Sequence, residues 1–524
     1  MTMPGRRAER DDGRPADEVG GRDRRPLIAV AAVFLLSRAA FAAVGVRFDM
    51  SPLRGSFAAD PWQLLDTQLL QHHLITSVWH LNSQPPLFNL FCGALLKLPF
   101  AIQEPFASLG FLALGLMMVV CLYSVLVELR VPTWLALAVS TLVAVDPAYV
   151  LYENWLSYAY PTAAFLSLSA LCLVRYVRHH RMRWGLGFFG AVATVALLNS
   201  SYQLVWVVVA GIVVAVAVRS RWRPALVAAA IPVLLVVGWV AKDAAQVGMF
   251  TSSSWVGMNF ARTTLVTASP AELRSLVASH TLTPIAEVPP FSPVSAYAPR
   301  FARLTHTGVA AVDAPYKADL GTNFNNGIYA GVSSQYLHDD LAFIRARPRA
   351  YAINVVNAAK QWTVPPDEYQ FVRSNRGHIA TWANLFDRTV LARPSANPDP
   401  VVNTLVLTAG PPAAQLSYLI IVVDAIALLG SPFVAWWRRR TDPAGAATLA
   451  YLWVTTVYAL VTTSLLELGE NQRFDMELGP LPLIAAVVVV VAVARVLKAP
   501  VAPAGRAPAT SPPAGTVGYT GTAG

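Results

Sequence analysis

The chain has 524 residues, of which 55% are hydrophobic and only 13% are charged. Soluble domains usually carry about 25% charged residues, so this composition excludes an ordinary soluble protein and predicts a polytopic membrane protein. The formal net charge of +10 does not indicate nucleic-acid binding, because the basic residues flank apolar segments in the positive-inside pattern. Membrane lipids with anionic head groups are the expected partners of these residues.

Apolar stretches predict a mainly α fold, a polytopic transmembrane helix bundle of about ten or eleven hydrophobic segments. They are residues 27–46, 86–102, 106–128, 132–150, 157–174, 185–200, 203–218, 224–241, 413–436, 446–466 and 478–497. If every basic cluster faces the cytoplasm, ten segments cross, and residues 86–102, which contain Lys97, stay interfacial or re-entrant.

Composition divides the rest of the chain. Residues 1–25 and 499–524 are expected to be disordered tails, the first of them cytoplasmic. A transmembrane module at 26–241, with a first outer loop at 47–85, precedes C-terminal transmembrane segments at 413–498. Residues 242–412 are too long for a connecting loop and predict a mixed extracytoplasmic domain before the last three spans. This topology gathers four polar stretches on one non-cytoplasmic face: residues 47–85, 152–155, 242–412 and 467–477.

The predicted outer domain shows helical patterning at 270–279 and 334–362, and Pro348 is expected to start or kink the second half of the latter. Turns and short extended pieces are expected around Asn323 to Asn326 and at 365–371. The three cysteines lie in or beside apolar runs instead, where they are expected to be small buried hydrophobes.

Two acids in the first outer loop are candidate general bases. Asp60 and Asp66 lie in a segment whose apolar spacing fits a helix on the membrane surface, and apolar surroundings raise a carboxyl pKa. Asp60, directly before Pro61, fits a helix N-cap equally well. Asp66, predicted to lie inside the helix, is the preferred base.

The end of the same loop carries polar side chains next to a proline pair. Pro85 and Pro86 start the next apolar segment and would hold His80, Asn82 and Gln84 at the membrane surface, facing the acids. The fixed entry angle of the helix is the purely structural explanation for the prolines.

The second outer loop contains Glu153 and Asn154 between two aromatic clusters. Their place between aromatic clusters, instead of in a charged loop, favours a functional role for both, with Glu153 as a catalytic and Asn154 as a substrate-binding candidate. The alternative is an aromatic interfacial belt with an incidental solvated glutamate.

The last outer loop contains one basic residue, Arg473, among several acids and amides. An arginine fork binds phosphate bidentately and stabilises charge on a leaving group, so Arg473, Glu470 and Asn471 are candidate substrate-binding residues. A local ion pair of Arg473 with Glu470 or Asp475 is the alternative. The two interpretations are compatible, because partner acids can orient the guanidinium.

An acid-bearing helix after the first span, followed by Gln84-Pro85-Pro86-Leu87-Phe88 at the start of the next apolar segment, resembles the C-type glycosyltransferases (GT-C superfamily). These polytopic enzymes include protein O-mannosyltransferases and lipid A aminoarabinose transferases. The resemblance covers mainly residues 27–240, with a weaker match near 467–482. The chain departs from the family pattern where Gln84 replaces a frequent His and where an Asp-Glu pair is missing. No DxD motif is present, so a divalent metal remains possible but unsupported.

The resemblance implies an inverting glycosyltransferase of the cell membrane that uses a polyprenyl-phosphate-linked sugar on the non-cytoplasmic face. Asp66 or Asp60 would deprotonate the acceptor hydroxyl of a glycan, glycolipid or protein, and Arg473 would neutralise the lipid phosphate that leaves. The alternatives are a transporter or flippase of an envelope glycolipid and a non-catalytic envelope scaffold. Asp424 and Asp146 are the main ionisable residues in or near spans, which is few for a transporter.

Overall fold

The structure is a computed structural model that describes residues 25–54, 62–301, 306–319, 321–394, 411 and 413–498. Within these ranges it contains helices and turns but no β-strand, and only two isolated bridges occur, Asp49 with Trp155 and Tyr316 with Thr322. The predicted polytopic helix bundle is confirmed. The predicted tails at 1–24 and 499–524 lie outside the described residues, whereas Arg25 already belongs to the first helix.

Ten helices of the described chain run between the two ends of the bundle. They are α1 (Arg25–Ala43), α6 (Phe100–Glu128), α7 (Thr133–Val145), α9 (Ala159–His179), α10 (Met182–Leu198), α11 (Leu204–Ala217), α12 (Trp222–Val247), α21 (Tyr418–Arg438), α22 (Pro443–Leu466) and α24 (Leu481–Lys498). Seven are long and apolar enough to cross a membrane, and α7 with the following short helix gives an eighth, bent by 55°. The remaining two, α10 and α11, are shorter.

One end of the bundle, the basic end, joins four helices through arginines. Arg178 at the end of α9 pairs with Glu128 at the end of α6 and lies 3.7 Å from Asp442, which caps the start of α22. Arg495 of α24 donates to the backbone carbonyl oxygen of Arg130. Since basic residues favour the cytoplasmic side, this end is predicted to face the cytoplasm.

The opposite end, the loop end, carries six short helices that connect the long ones. They are α2 (Ser51–Arg54), α3 (Thr67–His72), α4 (Leu74–Trp79), α5 (Pro86–Leu96), α8 (Pro147–Glu153) and α23 (Asn471–Leu478). Helix α5 has 11 residues, about 16 Å at 1.5 Å per residue, which is too short to cross about 30 Å of hydrocarbon. Lys97 at its end donates to the carbonyl oxygen of Gln71, so this segment stays at the loop end as the sequence predicted.

The long segment between α12 and α21 is helical and packs on the loop end. Its helices are α13 (Val256–Thr263), α14 (Pro270–Ala278), α15 (Val294–Tyr297), α16 (Ala310–Asp313), α17 (Ile328–Ala346), α18 (Pro348–Trp362), α19 (Arg373–His378) and α20 (Ala380–Thr389). The predicted helices at 270–279 and 334–362 are present, and the break falls at Pro348 as expected. The pieces expected to be extended form turns and short 3-10 helices.

Asn325 makes several of the contacts that fasten this outer segment to the first loop. The side chain of Asn325 accepts from the backbone N–H groups of Asn82 (2.8 Å) and Ser83 (3.1 Å) and donates to the carbonyl oxygen of His80 (3.0 Å). Asn82 completes the contact by donating to the backbone oxygen of Asn325 and accepting from the hydroxyl of Ser254. The stretch before α5 therefore serves as the docking site of the outer segment.

The three cysteines pack as the sequence predicted. Cys92 of α5, Cys121 of α6 and Cys172 of α9 are all buried, and none forms a disulfide. They fill space between helices like small apolar residues.

Replacing Gly257 with alanine should destabilise the outer segment. A Cβ at this position would lie 1.9 Å from the backbone oxygen of Ser333, so α13 and α17 would have to separate. Overpacking of this kind costs about 1–3 kcal/mol, and the melting temperature in detergent should fall. The control is Gly238→Ala in α12, where a Cβ meets nothing within 4 Å and where alanine favours the helix. Equal melting temperatures for the two variants would contradict the packing argument.

Candidate functional site

The best-organised polar cluster at the loop end is built around Arg473 of α23. Glu470 and Glu477 lie three residues before and four after it, so both reach the same face of the helix. The Arg473 guanidinium lies 2.6 Å from a Glu470 oxygen and 2.8 Å from a Glu477 oxygen, and it donates to the Tyr158 hydroxyl at 2.7 Å. Arg473 is 5% exposed, so its charge is held by protein groups instead of bulk water.

A second arginine, from the outer segment, joins the cluster. Arg262 of α13 lies 2.6 Å from an oxygen of Glu467, the residue after α22, and 3.9 Å from Glu470. Asn199, at the end of α10, donates to Glu477 at 2.7 Å. Two guanidinium groups and three carboxylates from distant parts of the chain are thus packed together.

Aromatic side chains form one wall of this cluster. Tyr369 donates a hydrogen bond to Glu470 and stacks on Tyr152, with ring centroids 6.3 Å apart. Trp155 lies 5.8 Å from Tyr369 and stacks on Phe371 at 5.7 Å. Together with Tyr158, these rings offer flat apolar faces and hydroxyl groups beside the charges, which suits the mixed surface of a sugar.

Several buried polar atoms around the two arginines have no hydrogen-bond partner within the described residues. They include the Nε atoms of Arg262 and Arg473, Oδ1 of Asn471, the hydroxyl of Tyr152 and Nε2 of Gln361. A buried donor without a partner costs about 1–3 kcal/mol. Because two of these donors are guanidinium N–H groups, an anionic ligand is the kind of group that would satisfy them.

Burial shifts the pKa values of the acids in this cluster in different directions. Burial raises the pKa of Glu467 to about 8 against the opposing charge of Arg262. Burial also raises the pKa of Glu477. For Glu470 the charges of Arg473 and Arg262 outweigh burial and lower the pKa. The two arginines therefore favour the ionised form of Glu470, whereas burial opposes ionisation of Glu467 and Glu477.

Asp49, which the sequence analysis did not consider, lies beside the aromatic wall. Its backbone N–H donates to the carbonyl oxygen of Asn154 (2.8 Å), and its own carbonyl accepts from Leu156 (3.2 Å), so it is held against Trp155. Its half-buried carboxylate accepts from the backbone of Ser51 through Oδ1. Within the described chain, Oδ2 has no hydrogen bond. Its position as the first acid after the first apolar segment was the signal available in the sequence.

Glu153 is buried beside the cluster and forms its own ion pair. The guanidinium of Arg38 in α1 holds both carboxylate oxygens at 2.8–3.0 Å, and the hydroxyl of Tyr160 donates at 2.7 Å. A Cβ on Gly115 of α6 would lie 2.4 Å from Glu153, so only glycine leaves room for this pair. The alternative of a solvated glutamate is wrong, because Glu153 is 4% exposed.

The structure bears differently on the two candidate bases of the first outer loop, Asp60 and Asp66. Asp60 lies outside the described residues. Asp66 was predicted to lie inside a helix, which is wrong: it is the N-cap of α3, accepting from the backbone of Gln68 at 2.8 Å and from Ala318 at 2.7 Å. Within the described chain no hydrogen bond or ion pair joins Asp66 to Glu153 or Arg473. Its role as a base stays a prediction.

The predicted substrate-binding residues of the first two loops make structural contacts. Asn82 is engaged with Asn325, as described above, and His80 approaches the carbonyl oxygen of Thr76 at 2.9 Å. Gln84 is buried, and Asn154 donates to the carbonyl oxygen of Val150 at the end of α8. Substrate binding by these four side chains stays a prediction.

Of the two ion pairs predicted for Arg473, the one with Glu470 is present and the one with Asp475 is not. Two residues apart on a helix, Arg473 and Asp475 lie on different faces, and Asp475 lines a cavity of about 120 Å³ on the other side of α23. Asp146 and Asp424 line the same cavity among mainly apolar side chains. Burial and these two acids raise the pKa of Asp475 well above its ordinary value.

No protein-family model and no curated protein sequence matches the chain. Among solved structures, the crystal structure of ArnT from Cupriavidus metallidurans bound to undecaprenyl phosphate is similar, at 14% identity and a TM-score of 0.32. The match covers 86% of this chain and 78% of that one. At this level of similarity the likeness carries no argument about function.

Within the described residues, no group of three or more His, Cys, Asp or Glu could hold a metal ion.

Replacing Arg38 with methionine should destabilise the protein strongly. Glu153 would be left buried without its partner, and breaking a buried ion pair costs about 3–5 kcal/mol. The double variant Arg38→Met with Glu153→Gln removes the charge as well and should recover most of the loss. Thermal unfolding in detergent measures both effects. A double variant as unstable as the single one would show that the ion pair itself is not the reason.

The raised pKa of Glu467 should make stability depend on pH. The folded state binds the Glu467 proton up to about pH 8, whereas the unfolded state releases it near its ordinary pKa. Stability is therefore highest at low pH and falls as pH rises from about 5 to about 8, by at most about 1.4 kcal/mol per unit. Glu467→Gln should flatten this decline relative to wild type. Identical pH profiles of the melting temperature would contradict the assignment.

Proposed function

We propose that this protein is a membrane glycosyltransferase that takes a sugar from a polyprenyl-phosphate donor at the loop end and transfers it to a cell-envelope acceptor. The observation that carries the proposal is the burial of Arg262 and Arg473 side by side, each with an Nε donor that has no partner among the described residues. Guanidinium groups in a site of low dielectric bind a phosphate strongly and stabilise the charge that develops on it as it leaves.

Arg473 is the proposed phosphate ligand. Glu470 and Glu477 fix the direction of its guanidinium through the two ion pairs, so little reorganisation is needed when the donor binds. Arg262, which lies 3.9 Å from Glu470, brings a second guanidinium group to the same cluster. The ionised Glu470 partly neutralises Arg262 and Arg473. The two arginines therefore do not hold the polyprenyl phosphate product too tightly.

Asp49 is the proposed general base. It belongs to the first outer loop and lies against Trp155 of the aromatic wall, and its Oδ2 has no hydrogen bond to any described residue. A carboxylate in this position can take the proton of an acceptor hydroxyl while the oxygen attacks the anomeric carbon from the side opposite the leaving phosphate. Inversion at that carbon follows, and the rings of Tyr369 and Trp155 would stack on the sugar.

An apolar groove at the same end suits an isoprenoid chain. It has a volume of about 270 Å³ and is lined by residues of α4, α5, α10 and α12, with Trp79 and Trp239 among them. Lys242 lies 3.7 Å from the centre of the Trp239 ring and donates to the carbonyl oxygen of Leu81. The groove opens towards the lipid-facing surface, where Ile75 and Leu235 are exposed.

Asp49→Asn should reduce sugar transfer from a labelled polyprenyl-phosphate donor by about 100-fold or more, since a general base contributes about 10²–10⁴-fold. The matched control is Asp66→Asn, which alters a helix cap in the same loop. Transfer should survive in this control, and both variants should insert normally. Loss of transfer in Asp66→Asn but not in Asp49→Asn would return the base to Asp66.

Arg473→Lys tests the phosphate contact separately. Lysine keeps the charge but cannot form the fork that pairs with Glu470 and Glu477 while contacting phosphate. We expect a lower rate of transfer with a stably folded protein, and weaker retention of the polyprenyl phosphate product. Unchanged rate and retention would exclude Arg473 as the phosphate ligand.

A transporter or flippase of an envelope glycolipid is the second candidate. Its support is the cavity that Asp146, Asp424 and Asp475 share where α21 meets the loop end, because buried ionisable residues in and beside transmembrane helices often mark a transport path. Asp424→Asn separates the two functions: it should leave sugar transfer intact, whereas a transporter would lose movement of its substrate across proteoliposome membranes.

A further inference from the structure

A second polar pocket lies at the basic end, opposite the candidate site. It has a volume of about 270 Å³ and is lined by Glu128, Arg175, His179, Arg181, Arg183 and Trp184, which come from α6, α9, α10 and the turn between the last two. This volume is close to the lower limit of about 300–1,000 Å³ for small-ligand pockets, which suits a head group more than a whole lipid.

The charges of this pocket are not balanced. Glu128, its only acid, is buried and already paired with Arg175 at 3.4 Å and with Arg178. Arg181 and Arg183 make no ion pair within the described residues, and both are exposed. The pocket therefore presents positive charge that no carboxylate of the described residues neutralises.

Trp184 gives the pocket a fixed geometry. The guanidinium of Arg175 lies 4.8 Å from the centre of the Trp184 ring, and the guanidinium of Arg183 lies 5.0 Å from the same centre. Cation–π contacts of this kind restrain the arginines, and Trp is the side chain that favours the level of the lipid head groups. Partial burial and the nearby Arg221 and His179 lower the pKa of the neighbouring His180, consistent with a positive local potential.

We propose that this pocket binds the phosphate of an anionic phospholipid head group at the membrane surface of the basic end. Arg181 and Arg183 are the ligands, because they combine exposure with unpaired charge. Arg175 is a positioning residue that acts through Trp184 and Glu128. The acyl chains would lie along the apolar surfaces of α10 and α12, where Leu186 and Leu226 are exposed.

The test measures retention of phosphatidylglycerol by the purified full-length protein, by native mass spectrometry after detergent exchange. Each basic residue near an anionic surface contributes about fivefold in affinity, so Arg181→Ala with Arg183→Ala should weaken binding about 30-fold. The matched control is Arg274→Ala with Arg300→Ala, which removes two exposed arginines of the outer segment. Retention that is equal in the two double variants would overturn the proposal.

Two further arms identify the ligand. Replacing both residues with lysine keeps the charge and should retain most of the binding; a loss as large as with alanine would overturn the electrostatic argument. Inorganic phosphate in excess should not displace phosphatidylglycerol from the wild type, since a lipid is also held by its chains. Displacement by phosphate alone would overturn the lipid assignment in favour of a soluble anion. The melting temperature of each variant confirms that it is folded.

Discussion

The burial of the Arg473 guanidinium is the constraint on which the loop end depends. A charged group cannot leave water without partners, and removing one partner of a buried pair is more costly than never forming it. The partners of Arg473 come from its own helix and from Tyr158 of the second loop, while Glu470 is shared with Arg262 of the outer segment. The cluster therefore forms only when bundle, loop and outer segment are all in place.

Most of the bundle could be predicted from the sequence because hydropathy and charge act locally. The positions of the long helices, the break at Pro348 and the failure of residues 86–102 to reach the basic end all follow from apolar run length, proline geometry and the placement of basic residues. The short helices of the loop end were harder to predict from the sequence. Their limits depend on tertiary contacts, such as those of Asp66 with Ala318, that no local pattern contains.

The candidate site was predictable only where a residue was unusual for its surroundings. Arg473 stood out as one basic residue among acids, and helical periodicity would have selected Glu477 over Asp475 as its partner. Arg262 could not be found in this way, because its partner Glu467 is distant in the chain, and the position of Asp49 after the first span did not reveal its contact with the second loop. Glu153 was recognised, but its pairing with Arg38 required knowledge of how α1 packs against α8.

The burial of all three native cysteines has a practical consequence for chemical labelling. Cys92, Cys121 and Cys172 are enclosed between helices, so water-soluble maleimides should leave them unmodified while the protein is folded. Burial also raises the pKa of the Cys92 thiol, which suppresses its reactive thiolate. A cysteine introduced at an exposed position would thus be the single reactive thiol, and spectroscopic probes could report the sidedness and motion of either end without a cysteine-free background.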